Sequence, residues 1–90
     1  MRITDKDLEV MVDRINKKTG SPMTSYTKAD GKYTPNAFNY HLDYAYGGVS
    51  LVRMCKTGSG VTAVSNIGFV TKKKLYEWMQ AFYAGLEVEL

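Results

Sequence analysis

Apolar residues along the first part of the chain return at helical spacing. Leu8, Met11, Val12 and Ile15 share one face, which predicts a helix over residues 5–18. Thr4 supplies an N-cap, and Asp7 sits at the capping-box position three residues on. Ile3 and Leu8 flank that cap as a hydrophobic staple. Gly20 suits the residue just past the helix end, and Pro22 forbids continuation. Acids in the first turn and Arg14, Lys17 and Lys18 near the end complement the helix dipole.

The pattern then breaks. Residues 19–36 are polar and rich in turn formers, long for a loop in a compact domain and suited to a binding loop or lid. Within it, Asp30-Gly31 either closes a small hairpin between Tyr26-Thr27-Lys28 and Lys32-Tyr33-Thr34 or belongs to a plain loop.

Strand-like alternation over residues 37–56 predicts a β-hairpin around Gly47-Gly48. A two-residue turn at these glycines would pair Tyr46 with Val49, Tyr44 with Leu51, Leu42 with Arg53 and Tyr40 with Cys55. One face then carries Phe38, Tyr40, Leu42, Tyr44, Tyr46, Val49, Leu51, Arg53 and Cys55. His41 and Asp43 fall on the other, with Ser50, Val52, Met54 and Lys56. Thr57-Gly58-Ser59-Gly60 reads as a turn before a third strand over 61–66. Thr71 caps a last helix over 72–85, ended by Gly85, with Leu75, Met79, Phe82 and Leu86 as its core stripe. Tyr76, Trp78 and Tyr83 widen that stripe beyond what a small domain buries, which predicts a homodimer or higher homo-oligomer, or else another protein partner, covering the remainder. The expected fold is α+β: one domain over 1–90, with a helix, a hairpin or small three-stranded antiparallel sheet, and a helix packed on it.

Composition narrows the classes. Ninety residues make one domain of marginal stability, and 44% apolar content is enough for a core. No apolar run approaches the roughly 20 residues that span a bilayer, and the opening residues lack a signal-peptide pattern. Cys55 stands alone, so no internal disulfide forms and a reducing cytoplasm is expected. The net charge of +3 is unevenly spread. From Arg14 to Lys74 the only acids are Asp30 and Asp43, and a basic middle favours anionic partners.

Candidate chemistry is sparse. Cys55 and His41 are the only nucleophile–base candidates and fall on opposite faces of the hairpin, so no catalytic residues and no enzyme activity are expected. One Cys and one His cannot assemble a zinc site, and Gly58-Ser59-Gly60 lacks the phosphate-loop and dinucleotide patterns, so no cofactor is expected. Arg53 sits among apolar neighbours and needs a carboxylate, a ring, an anion or solvent, with Tyr40 and Tyr44 as diagonal neighbours. Lys72, Lys73 and Lys74 occupy a helix first turn, where cations are disfavoured by roughly 0.3–1 kcal/mol each. Free N–H groups and positive charge there make either an anion site or a solvated surface. The predicted ligand-binding residues are Arg53, Tyr40, Tyr44, Tyr46 and His41 on the hairpin, with Lys72 and Lys73.

The chain resembles a family of small, mostly uncharacterised bacteriophage-encoded accessory proteins. The resemblance rests on the Ile3-Thr4 helix start, Arg14-Ile15-Asn16, Thr19-Gly20-Ser21-Pro22, Asn39-Tyr40-His41-Leu42, Ala45-Tyr46-Gly47-Gly48-Val49, Arg53-Met54, Lys73-Lys74-Leu75-Tyr76 and the Ala81-Phe82 to Gly85-Leu86 segment. Relatives carry a third glycine in place of Ser59 and an acid in place of Lys74. The resemblance implies a phage accessory product acting in the host cell cytoplasm against host defence, and it transfers no catalytic motif. The leading expectation is sequestration of a nucleotide-like immune signal. The alternatives are an anti-CRISPR-like inhibitor of a host defence protein and direct nucleic-acid binding. The last is disfavoured because no helix is basic along a face.

Overall fold

The computed structural model describes residues 2–55, 60–65 and 67–88. Helix α1 (Asp5–Thr19) is followed by strands β1 (Tyr26–Ala29), β2 (Lys32–Pro35), β3 (Tyr40–Ala45), β4 (Gly48–Met54) and β5 (Val61–Ala63), and by helix α2 (Lys72–Leu86). The fold is α+β. β1 and β2 form a two-stranded sheet, and β3-β4-β5 a three-stranded antiparallel one.

α1 forms where its local signals lie. Thr4 Oγ1 accepts the Asp7 N–H, and the Asp7 carboxylate takes the Thr4 N–H at 2.9 Å, the two halves of a capping box. Gly20 is left-handed at φ 70°, and its N–H and that of Ser21 turn back to the last carbonyls. Leu8, Met11, Val12 and Ile15 pack against Tyr40, Val49 and Leu51 of the sheet and against Leu75 and Met79 of α2. Each fully buried aliphatic side chain there contributes about 1.5–3 kcal/mol relative to exposure.

The long segment after α1 is ordered by polar contacts. Asp30 and Gly31, both at positive φ, form the turn of the β1–β2 hairpin. Asn36 closes its base by donating to the Thr24 carbonyl at 3.0 Å, and its own N–H reaches Ser25. Buried Asn39 donates to the Pro22 carbonyl at 2.6 Å and ties the segment to the sheet.

The β3–β4 register differs from the expected one by two residues. Tyr46 and Gly47, at φ 53° and 72°, form the turn, and Ala45 pairs with Gly48, Tyr44 with Val49, Leu42 with Leu51 and Tyr40 with Arg53. An even shift leaves every side chain on its expected face. It moves Gly48 into the strand, where the backbone of Phe69 lies 2.8 Å from where a Cβ would stand. Only glycine admits that approach, and the paired Val49 and Val70 backbones depend on it. Tyr46 takes a left-handed conformation costing about 1 kcal/mol, partly offset by an edge-on contact with Phe69 at 5.5 Å.

Other boundaries also move. β5 ends at Ala63 because the Ser65 side chain replaces a strand backbone, accepting the Leu51 N–H at 3.0 Å. α2 continues through Gly85 to Leu86, since Leu86 packs on the core and that burial outweighs the roughly 1 kcal/mol cost of a helical glycine. Tyr76, Trp78 and Tyr83 are half-buried against the same core, so the apolar surplus that suggested a second copy is largely covered within the chain. The Thr57–Ser59 part of the expected turn, Lys56 and the last residue of the expected third strand lie outside the described residues.

Candidate functional site

Three features stand on or beside the sheet. The first is built around Arg53. In β4 it faces Tyr40 directly, and the backbone reverses just before β3 at Phe38, whose φ of 71° is left-handed. That conformation costs a bulky residue about 1–3 kcal/mol, a strain found most often at functional positions. It places the Phe38 ring 4.7 Å from the Arg53 guanidinium carbon, and the Tyr40 ring lies at 5.2 Å. Arg53 Nε donates a long hydrogen bond of 3.4 Å to the Phe38 carbonyl. Among the described residues no carboxylate pairs with this guanidinium. Tyr40 meets Phe82 of α2 at 6.1 Å, and Phe82 stacks on Trp78 at 5.1 Å. Phe38, Tyr40, Arg53, Thr62 and Phe82 line an open groove of about 380 Å³. The exposed Phe38 ring and a cation held over it and over the buried Tyr40 suit a flat, anionic ligand.

The second feature is at the other end of the same sheet face. Tyr44 donates to Asp5 Oδ1 at 3.0 Å, and Lys72 Nζ pairs with the same oxygen at 3.2 Å. The Tyr44 hydroxyl, and after it Lys72, hold the Asp5 carboxyl below its ordinary value. The Tyr44 phenol is pushed up to about 12, by desolvation first and then by the Asp5 carboxylate. Here the cation already has its anion. The α2 N-terminus is capped as expected, with Thr71 Oγ1 accepting the Lys74 N–H, and Lys73 and Lys74 are exposed.

The third is a cleft between α1 and β3, lined among others by Glu9, Asp13, Met23, His41 and Leu42. Because Asn39 Nδ2 faces the Pro22 carbonyl, Asn39 Oδ1 is an acceptor; it takes the Ser25 hydroxyl at 2.8 Å and His41 Nδ1–H at 3.2 Å. His41 is therefore an Nδ1–H tautomer, and burial lowers its pKa against a smaller upward pull from Asp43.

The expected site residues are thus divided. Arg53 and Tyr40 stand together. Tyr44 is not a neighbour of Arg53, because the register pairs it with Val49 instead. Lys72 is separated from the Arg53 groove by the helix from Lys72 to Phe82, roughly 15 Å of rise. Tyr46 is 94% exposed at the hairpin tip, and His41 lies in the acidic cleft. Cys55 contacts Thr62 Oγ1 at 3.4 Å and His41 contacts Asn39, so they take different partners. Among the described residues no cluster of His, Cys, Asp or Glu is arranged to hold a metal, and no helix is long and apolar enough to cross a membrane.

Sequence reasoning did not place Phe38, Phe82 or Asn16 at a site. Asn16 had a visible signal: it follows Leu8 and Val12 at four-residue steps, a polar residue on the apolar stripe. It is fully buried, and its amide binds Tyr40 on both backbone groups, at 2.8 and 2.9 Å. Comparisons with protein-family models, with curated proteins and with solved structures found no match to this chain.

Proposed function

We propose that this chain is a non-enzymatic binding protein that holds a nucleotide-like anion in the Arg53 groove. The observation that carries this reading is the guanidinium held beside the Phe38 and Tyr40 rings without a carboxylate partner among the described residues. A base stacks on the exposed Phe38 ring beside Phe82, and a phosphate takes the Arg53 N–H edges. The resemblance to phage accessory proteins favours a host immune signal as the nucleotide, bound and kept from its receptor in the host cytoplasm. Lys72 serves the fold through Asp5 in this reading, and Lys73 contributes long-range attraction only.

A thermal-shift screen against linear and cyclic nucleotides tests it. Ligand at a hundredfold its Kd adds about 2.7 kcal/mol to stability, a rise of roughly 10–20 °C for a domain of this size. The nucleotide is expected to be recovered intact, and Arg53→Ala to lose about half of the rise or more. No shift with any nucleotide would sink the reading, and cleavage of the ligand would replace it with an enzyme.

A protein-interaction inhibitor of a host defence complex is the second reading, favoured by the position of β3 at the edge of its sheet. There Asn16 takes the Tyr40 backbone and, among the described residues, no hydrogen bond reaches Leu42 or Tyr44 from that side.

A further inference from the structure

β3 is an edge strand of the three-stranded sheet, and its outward-facing backbone is only partly occupied. Met54 N–H bonds the Asn39 carbonyl across the β3–β4 ladder. In an antiparallel ladder the residues that bond across a pair alternate, so Tyr40, Leu42 and Tyr44 turn their N–H and C=O away from β4. Tyr40 is satisfied on that side by the Asn16 amide, which donates from Nδ2 and accepts at Oδ1 as a neighbouring strand's peptide group would. Leu42 and Tyr44 come next along the same edge. Among the described residues no hydrogen bond reaches their backbone from that side.

Proteins normally blunt such an edge with proline, lysine, a bulge or a covering element. β3 reads Tyr-His-Leu-Asp-Tyr-Ala and carries neither proline nor lysine. Beside it runs the cleft under α1, about 270 Å³, with Val12, Met23 and Leu42 as apolar lining. Glu9 and Asp13, one helical turn apart and exposed, stand along its α1 wall.

We propose that the Leu42–Tyr44 edge of β3 is a docking site where an extended, lysine- or arginine-bearing segment of a partner protein adds as a fourth strand. The added strand stops where Asn16 already occupies the edge, which defines its register. Its alternate side chains enter the cleft, aliphatic parts against Val12 and Leu42 and basic ends towards Glu9 and Asp13. A second copy of this chain fits less well. Two β3 edges joined through Leu42 and Tyr44 about a two-fold axis set Asp43 against Asp43, and like charges directly opposite are destabilising. The docking edge lies on the opposite side of β3 from β4, and its cleft meets the Arg53 groove only at Tyr40.

The test uses the whole protein and end-blocked synthetic peptides read by NMR amide exchange. A peptide alternating lysine and valine is expected to slow exchange at Leu42 and Tyr44 roughly tenfold or more. A glutamate–valine peptide, and a lysine–valine peptide methylated on alternate backbone nitrogens, should leave both amides unchanged. Glu9→Lys with Asp13→Lys, both at exposed positions, should abolish the protection, and Arg53→Ala should preserve it. The proposal is overturned if the lysine–valine peptide at millimolar concentration leaves both amides unprotected, or if the methylated peptide protects equally. It is also overturned if protection rises with protein concentration in the absence of peptide, which would assign the edge to a second copy.

Discussion

At one end of the helix-covered sheet face, Lys72 and Tyr44 converge on the Asp5 carboxylate. At the other, Arg53 lies against Phe38 and Tyr40 and, among the described residues, has only a backbone carbonyl as its hydrogen-bonded acceptor. Both ends set a cation beside tyrosine, and both draw on the same strand alternation. The first is electrostatically complete within the chain and joins the starts of both helices to β3. The second retains unused donors beside rings and an open groove. A basic residue near tyrosines is therefore a binding candidate only where the fold withholds its counter-ion. That separates Arg53 from Lys72, which composition treats alike.

The largest expected effect is on the frame that both ends share. Asn16→Ala leaves the Tyr40 N–H and C=O unpaired in a buried setting, with a cost of about 1–3 kcal/mol or somewhat more, since two groups are stranded. Denaturant unfolding should show that loss with an unchanged m-value. A change below about 0.5 kcal/mol would mean that Tyr40 finds other partners.

Next comes the contrast itself. Arg53→Ala should weaken the best nucleotide from the thermal-shift screen at least tenfold, about 1.4 kcal/mol, while Lys72→Ala leaves its affinity within about twofold. Isothermal calorimetry on the two variants separates them. Equal losses would show that the two ends act as one long-range electrostatic site.

The smallest effect concerns acid. Asp5 has a lowered pKa in the fold, so its contribution is fully present above the unfolded carboxylate value of 3.8 and is lost as pH falls through the lower folded value. The melting-temperature difference between the protein and Asp5→Asn should be small at neutral pH, shrink with added salt and vanish in strong acid. In the same variant the late-titrating phenol near 12 should move back towards the ordinary tyrosine value, visible in ultraviolet titration. A phenol that does not move would locate its shift in desolvation alone.

Legibility followed the range of the forces. α1 could be read from start to end because its cap, apolar stripe and terminal glycine act within a few residues of one another. The two faces of the β3–β4 hairpin were equally legible, since alternation survives any even shift in register. The register itself was not. Gly47 can close a tight turn with either neighbour, and the choice depends on Phe69, twenty-odd positions away, whose backbone needs the space that only Gly48 leaves. The end of α2 misled for a related reason: Gly85 is a local stop signal overruled by the packing of Leu86. At the candidate site, Arg53 with Tyr40 was legible, whereas Phe38 was not, because nothing local announces that a phenylalanine will accept a left-handed backbone.

What the sequence determined by itself was the α+β class, both helices, the hairpin and the side of the sheet on which each residue falls. These follow from periodicity and short-range hydrogen bonding. Only the tertiary structure decided which cation, among the described residues, found a counter-ion and which strand came to lie at the edge of the sheet. A charge's partner and a strand's neighbour are set by contacts between distant segments: Asp5 with Tyr44 and Lys72, and Asn16 with Tyr40. No spacing along the chain encodes them.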